Sequence, residues 1–325
     1  MFETCQRLKL NALGALMIGA LFSASALAAD ANVEATTTTV KHIFVVVMEN
    51  HDANEIYGDT IDAPYINNTL VPTYAHSKNF NNELPISYLS EPHYVWMEAG
   101  TNSFSDVTFS NDSDPSKSNT TSSTQHLATQ IDNAGTGIGW MAYQQGITSS
   151  TGACPITSSG QYAAKHNPFV FFKDIVGATP SKTNSLCESH HKDYTKLATD
   201  LKNNEVATYN FITPNLCNDM HGNSGCPSNT IAAGDQWLAA NLPAMITYAN
   251  GNQGVVLVVW DQGDRTTQMP FIAIGPSIKT KYTSTVALNH SSILKSVEEM
   301  LGLPILTTVS KSNDLSDFFV GGTVP

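Results

Sequence analysis

The sequence predicts an α/β fold with a mostly parallel central sheet and helices on both faces, and three observations carry that expectation. Two wholly apolar, largely β-branched runs, Ile43 to Met48 and Gly254 to Trp260, suit strands buried on both faces. Both end in acidic and amide residues, which suits the ligand-binding crevice outside the carboxyl ends of strands in open α/β sheets. Elsewhere the apolar spacing changes to a helical period, so strands alternate with helices.

Met1 to Ala28 reads as a secretory signal, with Arg7 and Lys9 ahead of an apolar stretch from Leu10 to Phe22 and a small-x-small cleavage site at Ala26-Leu27-Ala28. That stretch is too short for a comfortable bilayer span and no later run is long enough, so the expectation is a secreted or periplasmic protein without stable membrane insertion. Residues 29–40, with four consecutive threonines, read as a disordered leader, and 41–325 as a single domain. After the first strand, Ala63 to Tyr74 opens on a Pro turn and predicts a short helix. Ser105 to Thr124, rich in Ser, Thr, Asn and Asp, predicts an exposed, partly mobile loop. Gly139 to Tyr143 and Ala207 to Thr213 are short strand candidates, and Phe271 to Ile274 is a third buried run, ended by Gly275-Pro276. From Asn289, a plausible N-cap, Ile293, Leu294, Val297, Met300 and Leu301 fall on one helical face until Gly302 and Pro304 stop it.

The chain has 325 residues, 41% hydrophobic and 14% charged, enough apolar material for a sizeable core. Its formal net charge of −12 becomes −13 once residues 1–28, with Arg7, Lys9 and Glu3, are removed. That balance excludes a non-specific nucleic-acid binder, which needs clustered Lys and Arg. An acidic enzyme acting on an anionic substrate needs metal ions or a local positive patch. Cys5 leaves with the signal, and the remaining Cys154, Cys187, Cys217 and Cys226 form an even set suited to an oxidising compartment. The sequence-local pairing, Cys154–Cys187 and Cys217–Cys226, is expected over a zinc site, since no C-x-x-C spacing supports one.

Four stretches bring polar groups to strand or helix ends. They are Glu49-Asn50-His51; Leu89 to Asn102, with Ser90 and Thr101; Pro214 to His221, with Asp219 and His221 beside Cys217; and Trp260 to Asp264, with Asp261 and Gln262. A carboxylate with a histidine, a second carboxylate with an amide, and a nearby hydroxyl make a set of hard-metal ligands and a nucleophile. Metal coordination is one way of ionising a serine hydroxyl. Taken singly, each residue reads as a solvated Ser or a turn or cap Asp, so their joint occurrence carries the weight. His42, His76, His126, His190 and His191 read as surface or packing histidines, and Trp96, Trp140, Trp237 and Trp260 as core or rim aromatics. Asp235 reads equally as an N-cap for the helix through Trp237 or as a functional acid, and His51 is given no catalytic role.

In order from about Lys41 to Phe319, the runs VVVMENHDANEIYGD, APYINNTLVPTY, SEPHYVWMEAGTN, YAAKHNPFVFF, ITPNLCNDMH, AAGDQWL, WDQGD and NHSSILKSVEEMLGLP resemble the successive motifs of the bacterial and fungal phosphoesterase family, which includes secreted acid phosphatases and phospholipases C. The resemblance implies a sheet like that of the alkaline-phosphatase superfamily, a divalent metal cofactor and a phosphate-ester substrate attacked by a metal-activated hydroxyl. By the matching motifs Glu49 and Asn50 are similar to the family's metal-site pair, Asp261 takes the acidic position of its Asp-Glu or Asp-Asp motif, and Asp219 and His221 look like a second metal or leaving-group cluster. His290 matches a histidine of the NHYS-type block. Ser90 aligns with the superfamily nucleophile, with Thr101 next in line. Lys165, His166 and Asn167 resemble a KHNP block suited to holding phosphate. In two places the chain departs from the pattern: His93 stands where Asn is usual, and Gln262 stands where an acid is usual, which removes a negative charge from the metal site.

These readings lead to an exported phosphomonoesterase of acid-phosphatase type. One alternative is a phosphodiesterase or phospholipase C acting on phospholipid headgroups, disfavoured by the short chain. The other is a catalytically inactive binding protein on the same fold, kept open by Gln262 and His93.

Overall fold

The computed structural model describes residues 39–325 apart from 136, so the expected signal and most of the leader lie outside the described residues. The two long apolar runs become the middle of the sheet. β1 (His42–Met48) and β6 (Gly254–Trp260) pair in parallel, from His42 against Gly254 to Met48 against Trp260. Every residue of β6, and every residue of β1 after His42, is buried, as continuous apolar strands require. Beyond β1 lie β5 (Tyr209–Thr213), β3 (Trp140–Gln144) and β4 (His191–Asp193); beyond β6 lie β7 (Phe271–Ile274), β2 (Ala75–Ser77) and β8 (Tyr282–Ser284). The order is β4-β3-β5-β1-β6-β7-β2-β8. Only β7 runs against its neighbours, so this is a mixed α/β sheet that is mostly parallel.

Three helices matter for the site. The helix Ser90–Ala99 starts after Leu89, which has no capping side chain; the loop residue Asp112 instead accepts from the Glu91 amide at 3.3 Å. The helix Thr230–Gly251, capped by Asn229, packs on β6. The helix His290–Leu301 is capped by Asn289 and ends at Gly302 in the left-handed region, as its period predicts.

The short helix expected after Ala63 is present, as a π-helical turn, Ile66–Leu70, running into Val71–Thr73. Two expectations are corrected. Asp235 caps that turn and not its own helix: its two oxygens accept from the Tyr65 and Ile66 amides at 2.9 Å, while Asn229 supplies the N-cap expected of it. The loop 105–124 has no helix or strand, yet Phe109, Thr120 and Thr121 are buried and Asp106 accepts from Thr121, Ser122 and Lys173. One buried aromatic and short-range carboxylate bonds hold a segment whose composition reads as solvated. Both disulfides form with the sequence-local pairing, Cys154 to Cys187 and Cys217 to Cys226, which leaves these four sulfurs unavailable to zinc. Among the described residues no helix is long and apolar enough to cross a membrane.

Candidate active site

Three strand ends converge. The register of β1 with β6 sets Glu49 beside Asp261, whose amide donates to the Met48 carbonyl at 2.9 Å. The Glu49 amide donates to the Asp219 carbonyl at 2.8 Å, drawing the loop after β5 to the same point. The Thr213 hydroxyl, at the end of β5, donates to the His166 carbonyl at 3.2 Å and tethers that turn.

Ser90 opens its helix against this cluster and donates to Glu49 Oε2 at 3.0 Å. One helical turn on, the Tyr94 hydroxyl donates to Glu49 Oε1 at 2.5 Å, and its ring stacks on His166 at 5.1 Å between centroids. His166 Nδ1 lies 3.3 Å from Glu49 Oε1 and 3.7 Å from Asp219 Oδ2. Asp219 Oδ1 accepts from the His221 amide at 2.8 Å, and ligand atoms of Glu49, His166 and His221 lie within 4.8 Å of one another. Asn50 adopts a left-handed conformation, φ 41°, donates its amide to Asp261 Oδ1 at 3.1 Å, and accepts from Gln262 Nε2 at 2.8 Å.

Glu49, Asp219 and Asp261 are all buried. Burial pushes Glu49 well above the usual carboxylate range, and the charges of Asp261 and Asp219 push it further. Burial likewise raises Asp219 well above its ordinary value, and raises Asp261 to about 6 against hydrogen bonds from the Asn50 and Gln262 amides. Burial drives His166 well below its ordinary value, with Lys165 and His221 adding to the effect, so the ring is neutral, the form that ligates metals. Asp219 Oδ2, Asp261 Oδ2 and His166 Nε2 are buried without a hydrogen-bond partner. Unpaired buried carboxylates are costly, and a divalent cation removes that cost. Carboxylates and imidazoles crowded together with free lone pairs therefore fit a metal ion.

Other residues picked from the sequence lie elsewhere. Thr101 follows the far end of the Ser90 helix, about 15 Å of rise away, and its hydroxyl donates to the Ser103 carbonyl. The Lys165 ammonium is paired with Asp112, so its charge is already answered. Asn167 bonds to Tyr162 at 3.2 Å and faces His191 at 3.3 Å, structural partners away from Glu49. His290 Nε2 bonds to the Trp260 carbonyl at 2.9 Å, with Nδ1 3.5 Å from Glu83, which puts it behind Asp261 and outside the triad. His93 is buried 6.4 Å from the His290 ring, and burial, then His290, lowers its pKa to about 3. Sequence reasoning missed Tyr94 and Asp112. Tyr94 was within reach, being four residues after Ser90 on one helical face; no local pattern marks Asp112.

A family model described as the phosphoesterase family matches residues 84–304. A phosphatidylinositol-3-phosphatase of Mycobacterium tuberculosis is 26% identical over 284 residues, covering 86% of this chain and 83% of that protein. A phosphate-repressible acid phosphatase of Penicillium chrysogenum is 28% identical over 180 residues, 52% of this chain and 40% of that one. Among solved structures, a protein in the alkaline phosphatase superfamily from Vibrio parahaemolyticus superposes with a TM-score of 0.54 at 11% identity, over 86% of this chain and 70% of that one, a likeness of fold.

Proposed function

The chain belongs to the phosphoesterase family and is a hydrolase of phosphate esters, and from that premise we propose that it is an exported, single-domain phosphomonoesterase of acid-phosphatase type with Ser90 as nucleophile. One observation carries the reading: the Ser90 hydroxyl meets a nest of three buried carboxylates, two of which keep an unpartnered oxygen. When bound, a divalent cation held by Glu49, Asp219, Asp261, His166 and His221 supplies the positive charge that lowers the serine pKa and offsets charge on the phosphoryl oxygens. Glu49 orients the Ser90 oxygen by accepting its hydrogen bond, and Tyr94 fixes Glu49 through its other oxygen. Ser90 also stands in the first turn of a helix, where the backbone dipole favours an anion. The serine oxygen bonds to phosphorus as the ester P–O bond breaks, the alcohol leaves with a proton, and water then releases the phosphoryl group. The same reading gives the sheet helices on both faces, in keeping with the complete burial of β6.

A second reading, a phosphodiesterase or phospholipase C acting on phospholipid headgroups, draws on Ile86 and Leu89. They are 43% and 51% exposed just ahead of Ser90. One relative is also named a phosphatidylinositol-3-phosphatase. Turnover of a chromogenic monoester against phosphatidylcholine separates the two. For the nucleophile, Ser90→Ala is expected to cut monoester turnover by about 10³-fold or more, and Thr101→Ala to leave it within about twofold. Near-full activity of Ser90→Ala sinks the assignment; activity indifferent to a chelator sinks the metal.

A further inference from the structure

Asp219 and His221 flank a residue whose backbone should not, on its own, be where it is. Met220 has φ 82°, a conformation that side-chain-bearing residues seldom adopt outside glycine, Asn and Asp. Strain of that kind persists only where surrounding packing fixes it. Here the packing is visible. Met220 is buried, and it lies against Gly234, in the first turns of the helix Thr230–Gly251. A Cβ built on Gly234 would stand 2.9 Å from Met220 Cε, closer still to Met220 Cγ, and 3.1 Å from Met48 Cε. Real Cβ atoms do not tolerate such approaches. The Met220 side chain therefore occupies a notch that exists because position 234 is glycine.

The notch serves both halves of the candidate site. Met48 is the last residue of β1, immediately before Glu49, and Met220 sits between Asp219 and His221. The Glu49 amide bonds to the Asp219 carbonyl at 2.8 Å, so the two segments are already joined there. The Cys217–Cys226 disulfide closes the loop that carries Asp219, Met220 and His221. We propose that Met220 seated against Gly234 is a positioning latch: it holds the strained turn that aims Asp219 and His221 at Glu49 and His166. This rests on the metal-site reading given above for the ligand roles, while the latch itself rests on packing alone.

The test is a double-mutant cycle of Gly234→Ala and Met220→Ala, read in two ways. Zn2+ is titrated into chelator-stripped protein by calorimetry, and amide hydrogen exchange is followed on the peptide spanning 216–226. Gly234→Ala adds a better helix former inside a helix, so a purely local effect would strengthen the helix and leave the loop alone. The latch predicts the opposite: Gly234→Ala weakens Zn2+ binding about 10-fold and speeds exchange of the peptide, because Met220 is driven from its seat. In the Met220→Ala background both contacts under 3.0 Å are gone and only the Met48 methyl, the flexible end of its side chain at 3.1 Å, has to give, so adding Gly234→Ala changes affinity by less than about twofold and exchange not at all. Equal effects of Gly234→Ala in both backgrounds, or no effect of it on the peptide, overturn the proposal. Should the unsubstituted protein bind no Zn2+ while exchange follows the predicted cycle, the latch stands and the metal reading falls.

Discussion

Replacing His126 by Gln tests how the helix that begins at Ser90 is held at its other end. His126 is buried, with Nδ1 3.1 Å from Glu98 Oε1 and Nε2 3.0 Å from Asp174 Oδ2. Glu98 lies in the last turn of the Ser90 helix, so the histidine joins that helix to the segment around Asp174. Burial opposes a charged ring, but hydrogen bonds and charge from Asp174 and Glu98 outweigh it and raise the pKa from 6.5 to about 9. The two carboxylates respond in opposite directions. Burial keeps Glu98 above its ordinary value despite the histidine, whereas the histidine pulls the more exposed Asp174 below its own, so the countercharge rests on Asp174. A rise from 6.5 to about 9 corresponds to about 3 kcal/mol. Because the folded value lies above the unfolded one, this stability is fully present below about pH 6.5 and is lost as pH climbs through about 9. Urea unfolding of the two proteins near pH 6.5 and above pH 9 reads it. The unsubstituted protein should lose about 3 kcal/mol more than His126→Gln across that range, and the variant should already be about 3–5 kcal/mol weaker at the lower pH, with Glu98 left buried beside a neutral amide. Parallel pH profiles for the two proteins would refute a buried imidazolium.

Two further substitutions probe the site's supports. Tyr94→Phe deletes the 2.5 Å hydrogen bond to Glu49 while keeping the ring against His166, and a bond of about 1.5–3 kcal/mol predicts a 10- to 100-fold fall in kcat/KM with a melting temperature lowered by about a few degrees; unaltered kinetics would remove Tyr94 from the site. At Gly263 a Cβ would lie 2.6 Å from Asp52 Oδ1, which accepts from the Thr266 amide, so Gly263→Ala is expected to cost about 1–3 kcal/mol and to raise KM by displacing the neighbouring Gln262 from Asn50. A variant as stable and as tight-binding as the parent would show that this turn does not shape the site.

The sheet's middle was legible because burial on both faces leaves a sequence no room for polar residues: β1, β6 and β7 read as unbroken apolar runs and fold as such. The edge strands β4 and β8, and β2 beside β8, were not, since they have three residues each, too few to show a period. The same logic divides the site. Glu49, Asp219 and Asp261 follow β1, β5 and β6, and parallel neighbours bring their carboxyl ends together whatever lies between. Lys165 and Asn167 lie on short 3₁₀ turns, where one residue's step sends side chains in different directions: His166 reaches Glu49 while its neighbours find Asp112, Tyr162 and His191. Thr101 lies away from the cluster for a simpler reason, the length of one helix. Met220 and Gly234 were invisible because a positive φ on a methionine and a notch across a loop are facts of packing between segments, without a local signature.

Gln262 is one of the two positions, with His93, where the resemblance leads one to expect a different residue, and its geometry shows what the amide does there. Its amide nitrogen donates to Asn50 Oδ1 at 2.8 Å, its backbone amide donates to Asp261 Oδ1 at 2.7 Å, and the Asn50 amide donates to the same oxygen at 3.1 Å. Three residues thus close a ring of hydrogen bonds that occupies one oxygen of Asp261 and leaves Oδ2 without a partner. A carboxylate at 262 has no proton to donate to Asn50 in its ionised form, and it would add a fourth buried negative charge beside an Asp261 already raised to about 6 by burial. In the metal site proposed above, the amide would exchange a ligand charge for an orienting donor, weakening the electrostatic hold on a cation while lowering the repulsion met by a phosphate dianion entering a protein with a formal net charge of −12. On this account Gln262 is compatible with the proposed site: it donates to Asn50, which stands in the left-handed region, and together with the Asn50 amide it occupies one oxygen of Asp261 while the other stays unpaired.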